Sequence, residues 1–225
     1  MEPSAPPADG KWAGLQQRVA TALIVAPLAF YCIWMGGWVF MLMILAACVQ
    51  MLREWDGLSP KKSWAWRLFG IVYVALPAVS AIILRNLPFA ISDDAAFYAL
   101  LTLVLMVIAT DICAFFAGRM IGGPLLAPRI SPKKTWAGLL GGAAGSALIA
   151  AIMLPYTPWP ESILIAIVVG VVVTIFAQAG DLFESWLKRT SGVKDSGTLL
   201  PGHGGLLDRL DGFIFTLPLY LTLML

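Results

Sequence analysis

The sequence predicts an all-α integral membrane protein: a polytopic bundle of about seven transmembrane helices with polar loops on the cytoplasmic face. Three observations lead there. The chain is 60% hydrophobic and only 12% charged, against about 25% charged residues in soluble domains, and its mean hydropathy is +0.85. Apolar runs long enough to cross a bilayer recur from end to end. The basic residues fall almost entirely between alternate runs.

The first apolar run, 18–35, is broken by Gly36-Gly37 before the second, 38–52, and the pair reads as a helical hairpin. The third spans 66–84, and the fourth, 96–117, carries Asp111 in its final third. The fifth, 136–154, contains Gly138, Gly141, Gly142 and Gly145, small residues that let helices approach closely. The sixth and seventh cover 163–180 and 206–225. With the N-terminus inside, 14 of the 15 Lys and Arg residues lie on the inner side and only Arg85 lies outside, which is a strong positive-inside bias. The leading MEPSAPPADGKW lacks the basic start of a secretory signal, and no small-residue cleavage site follows the first run. Residues 1–12 are therefore expected to form a flexible tail, and 13–225 a single transmembrane domain.

Composition also excludes classes of function. A net charge of +2, scattered along the chain, gives no basis for nucleic-acid binding. Cys32, Cys48 and Cys113 lie in apolar runs without metal-ligand spacing and read as packing residues. No G-x-x-x-x-G-K-[ST], H-E-x-x-H, G-x-S-x-G or paired C-x-x-C occurs.

Chemistry is concentrated in three inner clusters. The richest is 180–211, which holds Asp181, Glu184, Lys188, Arg189, Lys194, Asp195, the single histidine His203, Asp208, Arg209 and Asp211. On a helix, Asp181, Glu184 and Lys188 share one face at i, i+3 and i+7, and Asp208 and Asp211 repeat the i, i+3 spacing. Carboxylates beside an apolar core need a compensating partner. Facing pairs with cations between them suit a divalent metal and a phosphate-rich ligand, while salt bridges to Lys188 and Arg209 are the competing explanation. The glycines of this stretch, Gly204 and Gly205 among them, imply a tight loop that exposes backbone. The second cluster runs from Asp111 to Arg119. An intramembrane carboxylate is costly and usually functional, and a packing hydrogen bond with Thr110 is the alternative. The third, Ser131 to Gly138, sets Lys133 and Lys134 beside a helix start, which can hold phosphate or simply anchor the chain at the interface.

Together these residues resemble the phosphatidate cytidylyltransferase (CDP-diacylglycerol synthase) family. Its signature is matched by Ser185-x-Leu187-Lys188-Arg189, then Lys194-Asp195-x-Gly197, then Leu200-Pro201-x-His203-Gly204-Gly205-x-x-Asp208-Arg209-x-Asp211. Asp111-x-x-Ala114 with Gly118-Arg119 is similar to an earlier family motif, and Ser131-Pro132-x-Lys134-Thr135 with Gly138 to another. The family commonly has an acidic residue where Ala137 stands.

The resemblance implies a catalytic domain that transfers a cytidylyl group from CTP to phosphatidic acid, forming CDP-diacylglycerol and pyrophosphate in a bacterial-type inner membrane. It implies Mg2+ held by Asp181 and Asp208, with a second cation allowed. On this reading Lys134, Lys188, Arg189, Lys194, Arg209 and Asp211 are catalytic. Asp111, Arg119, Ser131, Thr135, Asp195, His203, Gly204 and Gly205 bind substrate. The lipid bilayer is a partner, and a homodimer is compatible with the reading. A cytidylyltransferase for another lipid phosphate and an ion-coupled transporter are the alternatives. Charges gathered at one face, without an inverted repeat, weigh against the transporter.

Overall fold

The computed structural model describes residues 10–58, 63–88, 94–159, 162–193, 195–199 and 204–225; two of the expected site residues, Lys194 and His203, lie outside them. Among the described residues there are seven long helices at the expected places: α1 (Gly10–Met35), α2 (Gly37–Leu58), α3 (Trp64–Asn86), α4 (Ala95–Met120), α5 (Trp136–Met153), α6 (Ile163–Thr190) and α7 (Leu207–Met224). Five of them, α2 to α6, are long and apolar enough to cross a membrane, while the apolar part of α1 is the shorter Val19–Met35. Large apolar side chains such as Leu23, Trp38, Ile71, Leu140 and Leu164 point outward. Such a surface is stable against lipid, where helices satisfy their own backbone. The chain is an integral membrane protein.

α1 begins at Gly10, inside the stretch expected as a tail. The break between α1 and α2 falls at Gly36, where Gly36 and Gly37 take φ of +63° and +52°, values that favour glycine. Arg85 covers the end of α1: its Nε donates to the Ile33 carbonyl at 2.7 Å and its Nη2 to that of Trp34 at 2.8 Å. Those carbonyls have no partner within their own helix.

The glycines of α5 do what their spacing predicts. A Cβ on Gly142 would stand 3.0 Å from the Thr110 carbonyl, and one on Gly145 2.9 Å from the Cys113 Cβ, so α5 lies directly against α4. Farther along, a Cβ on Gly170 would reach the backbone of Ala147, which seats α6 on α5.

Two departures from expectation shape the polar end. Residues 131–135, expected as the approach to a helix start, form a strand, β2 (Ser131–Thr135), antiparallel to β1 (Leu125–Ala127). The bundle is thus not wholly α-helical. Pro132 cannot donate a backbone hydrogen bond and biases Ser131 to extended backbone, so the helix waits until Trp136. Thr135 caps it, Oγ1 accepting from the Gly138 N–H at 3.0 Å.

The second departure is in α6, which runs ten residues past Gly180, where its apolar pattern ends. Lys188 and Arg189 in the last turn complement the helix dipole. Gly192 then stops it with φ of +71°. Val193 N–H donates to the Lys188 carbonyl and Gly192 N–H to that of Arg189, the paired bonds of a Schellman ending. The charged half of the signature is therefore helical as far as Thr190.

Near that end, Trp55 of α2 stacks on Trp66 at 4.8 Å and sits 5.0 Å from the ring of Tyr73. Gly70 leaves room for the Trp55 indole. Met51, Leu58, Leu187, Leu207 and Ile214 complete this small core and tie α2, α3, α6 and α7 together beneath the polar groups.

Candidate active site

α6 and α7 meet at Gly180, where a Cβ would collide with the backbone carbonyl of Asp211. This contact sets the acidic residues of the two helices side by side. Lys188 bridges them, its Nζ lying 2.6 Å from Asp208 Oδ1 and 3.2 Å from Glu184 Oε2. The Asp208 side chain is only 6% exposed and that of Glu184 is fully buried, so the ammonium offsets charge that water does not reach. The other oxygen of Asp208, Oδ2, accepts the N–H groups of Ser196 and Gly205, each at 2.9 Å. Gly204, at φ of +84°, brings the backbone round, and a Cβ there would stand 3.0 Å from Asp208 Oδ2. Exposed Asp195 lies against Gly204.

A second ion pair joins the hairpin to α6. Lys134 Nζ reaches Asp181 Oδ2 at 2.6 Å, while Asp181 Oδ1 accepts from Ser185 at 3.2 Å. The Asp181 side chain keeps 33% of its surface exposed. Asp111 and Asp211 stand close enough to Asp181, and to each other, for mutual repulsion, with Lys134 and Arg209 partly compensating Asp111. Asp211 Oδ1 also accepts from the Gly212 N–H at 2.7 Å.

The structure thus brings together Asp111, Lys134, Asp181, Lys188, Asp208, Arg209 and Asp211. Thr110 does not bond Asp111; its hydroxyl meets that of Thr174 at 3.0 Å. Of the salt bridges weighed against a metal, the one to Lys188 is realised by Asp208 and Glu184, while Asp181 pairs with Lys134 rather than with a residue of its own cluster. Arg119 lies in the last turn of α4, its guanidinium 5.9 Å from the Phe115 ring centre. Ser131 opens β2, Thr135 is occupied as a helix cap, and Arg189 is exposed at the end of α6. Three further side chains take part: Glu184, Ser185 and Glu54. Glu184 was legible from its spacing to Lys188, and Ser185 sits within the signature. Glu54 of α2, which bonds the start of α7, left no local signal.

Among the described residues, no three Asp, Glu, His or Cys side chains form a ready-made metal site. Mg2+ rarely uses one: it is commonly held by one or two carboxylates together with substrate phosphates. Half-open Asp181, crowded by Asp211 and Asp111, fits that mode. Asp208 has both oxygens engaged by Lys188 and the two amides.

Beside the carboxylates, an apolar groove of about 400 Å³ runs between α3, α6 and α7, lined by Phe69, Tyr73, Phe176, Ile214, Phe215 and Pro218. Tyr73 lies at its polar end, near Glu184 and Asp211.

Fold and site together define a polytopic helical membrane protein with interleaved lysines and carboxylates at one end, adjoining an apolar groove. The chain belongs to the cytidylyltransferase family, whose model matches residues 62–225. It is 34% identical to the phosphatidate cytidylyltransferase of Brucella suis biovar 1 (strain 1330), with 89% of each chain covered. It is 32% identical to the phosphatidate cytidylyltransferase of Rickettsia bellii (strain RML369-C), over 94% of this chain and 91% of the relative. Identity to phosphatidate cytidylyltransferase 4, chloroplastic, of Arabidopsis thaliana is 42%, over 64% of this chain and 37% of that one.

Proposed function

We propose that the chain transfers the cytidylyl group of CTP to phosphatidic acid, giving CDP-diacylglycerol and pyrophosphate. The observation that carries this reading is the pair of ion bridges, Lys134–Asp181 and Lys188–Asp208, set side by side next to an apolar groove. Phosphates displace carboxylates from lysine readily, because both offer anionic oxygens to the same donors. The groove supplies a path for the lipid tail, and the polar end a path for the nucleotide.

A phosphate oxygen of phosphatidic acid attacks the α-phosphorus of CTP. The new P–O bond forms as the bond to the bridging oxygen breaks, and the electron pair leaves with pyrophosphate. The nucleophile is already anionic at neutral pH, so no protein nucleophile is needed. The obstacle is repulsion between two anions, which Lys134, Lys188 and Arg209 reduce. Arg189, at the end of α6, extends the positive border toward the polyphosphate. When bound, Mg2+ supplies charge neutralisation at the phosphates. Asp181 would hold it with Asp211 alongside, and Asp208, the second ligand implied by the resemblance, joins only by exchanging its Lys188 partner. Asp111 orients Lys134 and Arg209.

We read α1 and α7 as the remaining two crossings, which puts the N-terminus and the site on the cytoplasmic side of a bacterial-type inner membrane. The positive-inside pattern supports this topology. So does the gathering of Glu54, Lys134, Lys188 and Asp208 at one end of the bundle, with Arg85 beside Ile33 and Trp34 elsewhere. The test is pyrophosphate release from CTP by purified protein in vesicles. Release that needs both phosphatidic acid and Mg2+ is expected; no release with both present overturns the reading.

A further inference from the structure

We infer that Glu54, on α2 and outside the family-matched 62–225, is a positioning residue for the site, a carboxylate delivered from a distant helix to fix the loop that orients Asp208. The kinetic part of this inference rests on the cytidylyl-transfer reading; its structural part does not.

α7 starts without a side-chain cap of its own, although the first N–H groups of any helix need acceptors. Glu54 provides them. Its Oε1 accepts the Leu206 N–H at 3.0 Å and its Oε2 the Leu207 N–H at 2.8 Å. Gln50, one turn back on α2, donates to Oε1 at 2.8 Å, and the Ser196 hydroxyl lies 3.3 Å from Oε2. Glu54 is only 5% exposed. Burying a carboxylate is costly unless donors surround it, and this one has four, two of them at the positive end of a helix.

The same loop is gripped from its other side by Asp208. Ser196 gives its hydroxyl to Glu54 and its N–H to Asp208, and Gly205 to Leu207 give three successive N–H groups to the two carboxylates. Asp208 is therefore oriented by a strap whose far end Glu54 holds. The glycines of the signature acquire a reason as well. A Cβ on Gly197 would stand 2.9 Å from Glu54 Cγ, Cδ and Oε1, and one on Gly205 would stand 2.7 Å from Oε2. Gly197 is bare where Glu54 passes, and Gly205 where Glu54 and the Ser196 hydroxyl meet.

The experiment uses full-length Glu54→Gln in vesicles, with pyrophosphate release and amide hydrogen exchange measured on the same preparation. An amide nitrogen in place of one oxygen turns an acceptor into a donor facing a backbone N–H. Exchange across 204–208 should accelerate, and kcat should fall about 10- to 100-fold, the range typical of losing a supporting hydrogen bond behind a site. KM for CTP and phosphatidic acid should move less than about threefold, since neither touches Glu54. Wild-type kcat, or a fall in kcat with unchanged exchange, overturns the inference. Should that variant fail to insert, Gly197→Ala decides, because the nearest atoms its methyl group meets belong to the Glu54 side chain. It should lower kcat similarly, and adding Glu54→Asp, which withdraws one methylene, should restore part of it; strictly additive losses overturn the inference. A wild-type protein that releases no pyrophosphate overturns the proposed function instead, and leaves the exchange measurement to judge Glu54.

Discussion

Replacing Lys188 with Met tests the joint between α6 and α7. The substitution keeps the length and apolar stem of the side chain and removes only the ammonium. In the native protein that ammonium lies 2.6 Å from Asp208 and 3.2 Å from Glu184, whose side chains are 6% and 0% exposed. Breaking a buried ion pair from one side costs about 3–5 kcal/mol. The lower end, about 3 kcal/mol, applies because the Ser196 and Gly205 amides stay on Asp208. For a chain of this size each kcal/mol moves the midpoint by about 2–4 °C, so Tm in detergent should fall by about 6–12 °C. The double variant Lys188→Met with Asp208→Asn removes both members of the closer pair and should recover part of that loss, because Asp208 no longer stands as an unpaired charge and only Glu184 has lost its partner. Thermal unfolding followed by circular dichroism reads both, and pyrophosphate release measured alongside should be lost in both. If Lys188→Met melts at the wild-type temperature, or if the double variant melts no higher than the single, the ion pair is not what holds this joint.

Three further outcomes follow from the same geometry. Asp181→Asn leaves Lys134 without its 2.6 Å partner and removes a half-open carboxylate, so pyrophosphate release should drop by about 10²–10³-fold while the protein still inserts; near-normal turnover at any Mg2+ concentration would contradict its role. Lys134→Met should raise the apparent constant for CTP or phosphatidic acid by about tenfold or more, as expected for losing a charge-assisted bond, and initial-rate measurements with each substrate varied in turn decide it. Gly180→Ala drives a methyl group into the Asp211 carbonyl, so it should destabilise the α6–α7 contact by about 1–3 kcal/mol, read as a lowered Tm, and reduce activity with it.

Much of the fold could be read from the chain because membranes simplify the problem. Apolar length marks each helix, Gly36-Gly37 marks the break, and the glycines of α5 mark its contact with α4. The shared face of Asp181, Glu184 and Lys188 was legible from helical spacing alone, and Lys188 does bond Glu184. The strand at 131–135 was not, since a five-residue extended stretch beside a proline looks the same as a loop leading into a helix. The reach of α6 past Gly180 showed only in that charged spacing, because apolar patterning stops at the membrane border while the backbone hydrogen bonds of the helix do not.

The sequence by itself settled which helices form, which end of the bundle is charged and which chemical groups that end contains. These follow from composition and from periodicities a few residues long. Only the tertiary structure decided the partners: Lys134 with Asp181 across β2 and α6, Lys188 with Asp208 across α6 and α7, and Glu54 with the start of α7. The reason is that a carboxylate's partner depends on which backbones come within about 3 Å of its oxygens. That proximity is set by packing at Gly180, Gly197 and Gly205, positions whose role lies in what their missing side chains admit.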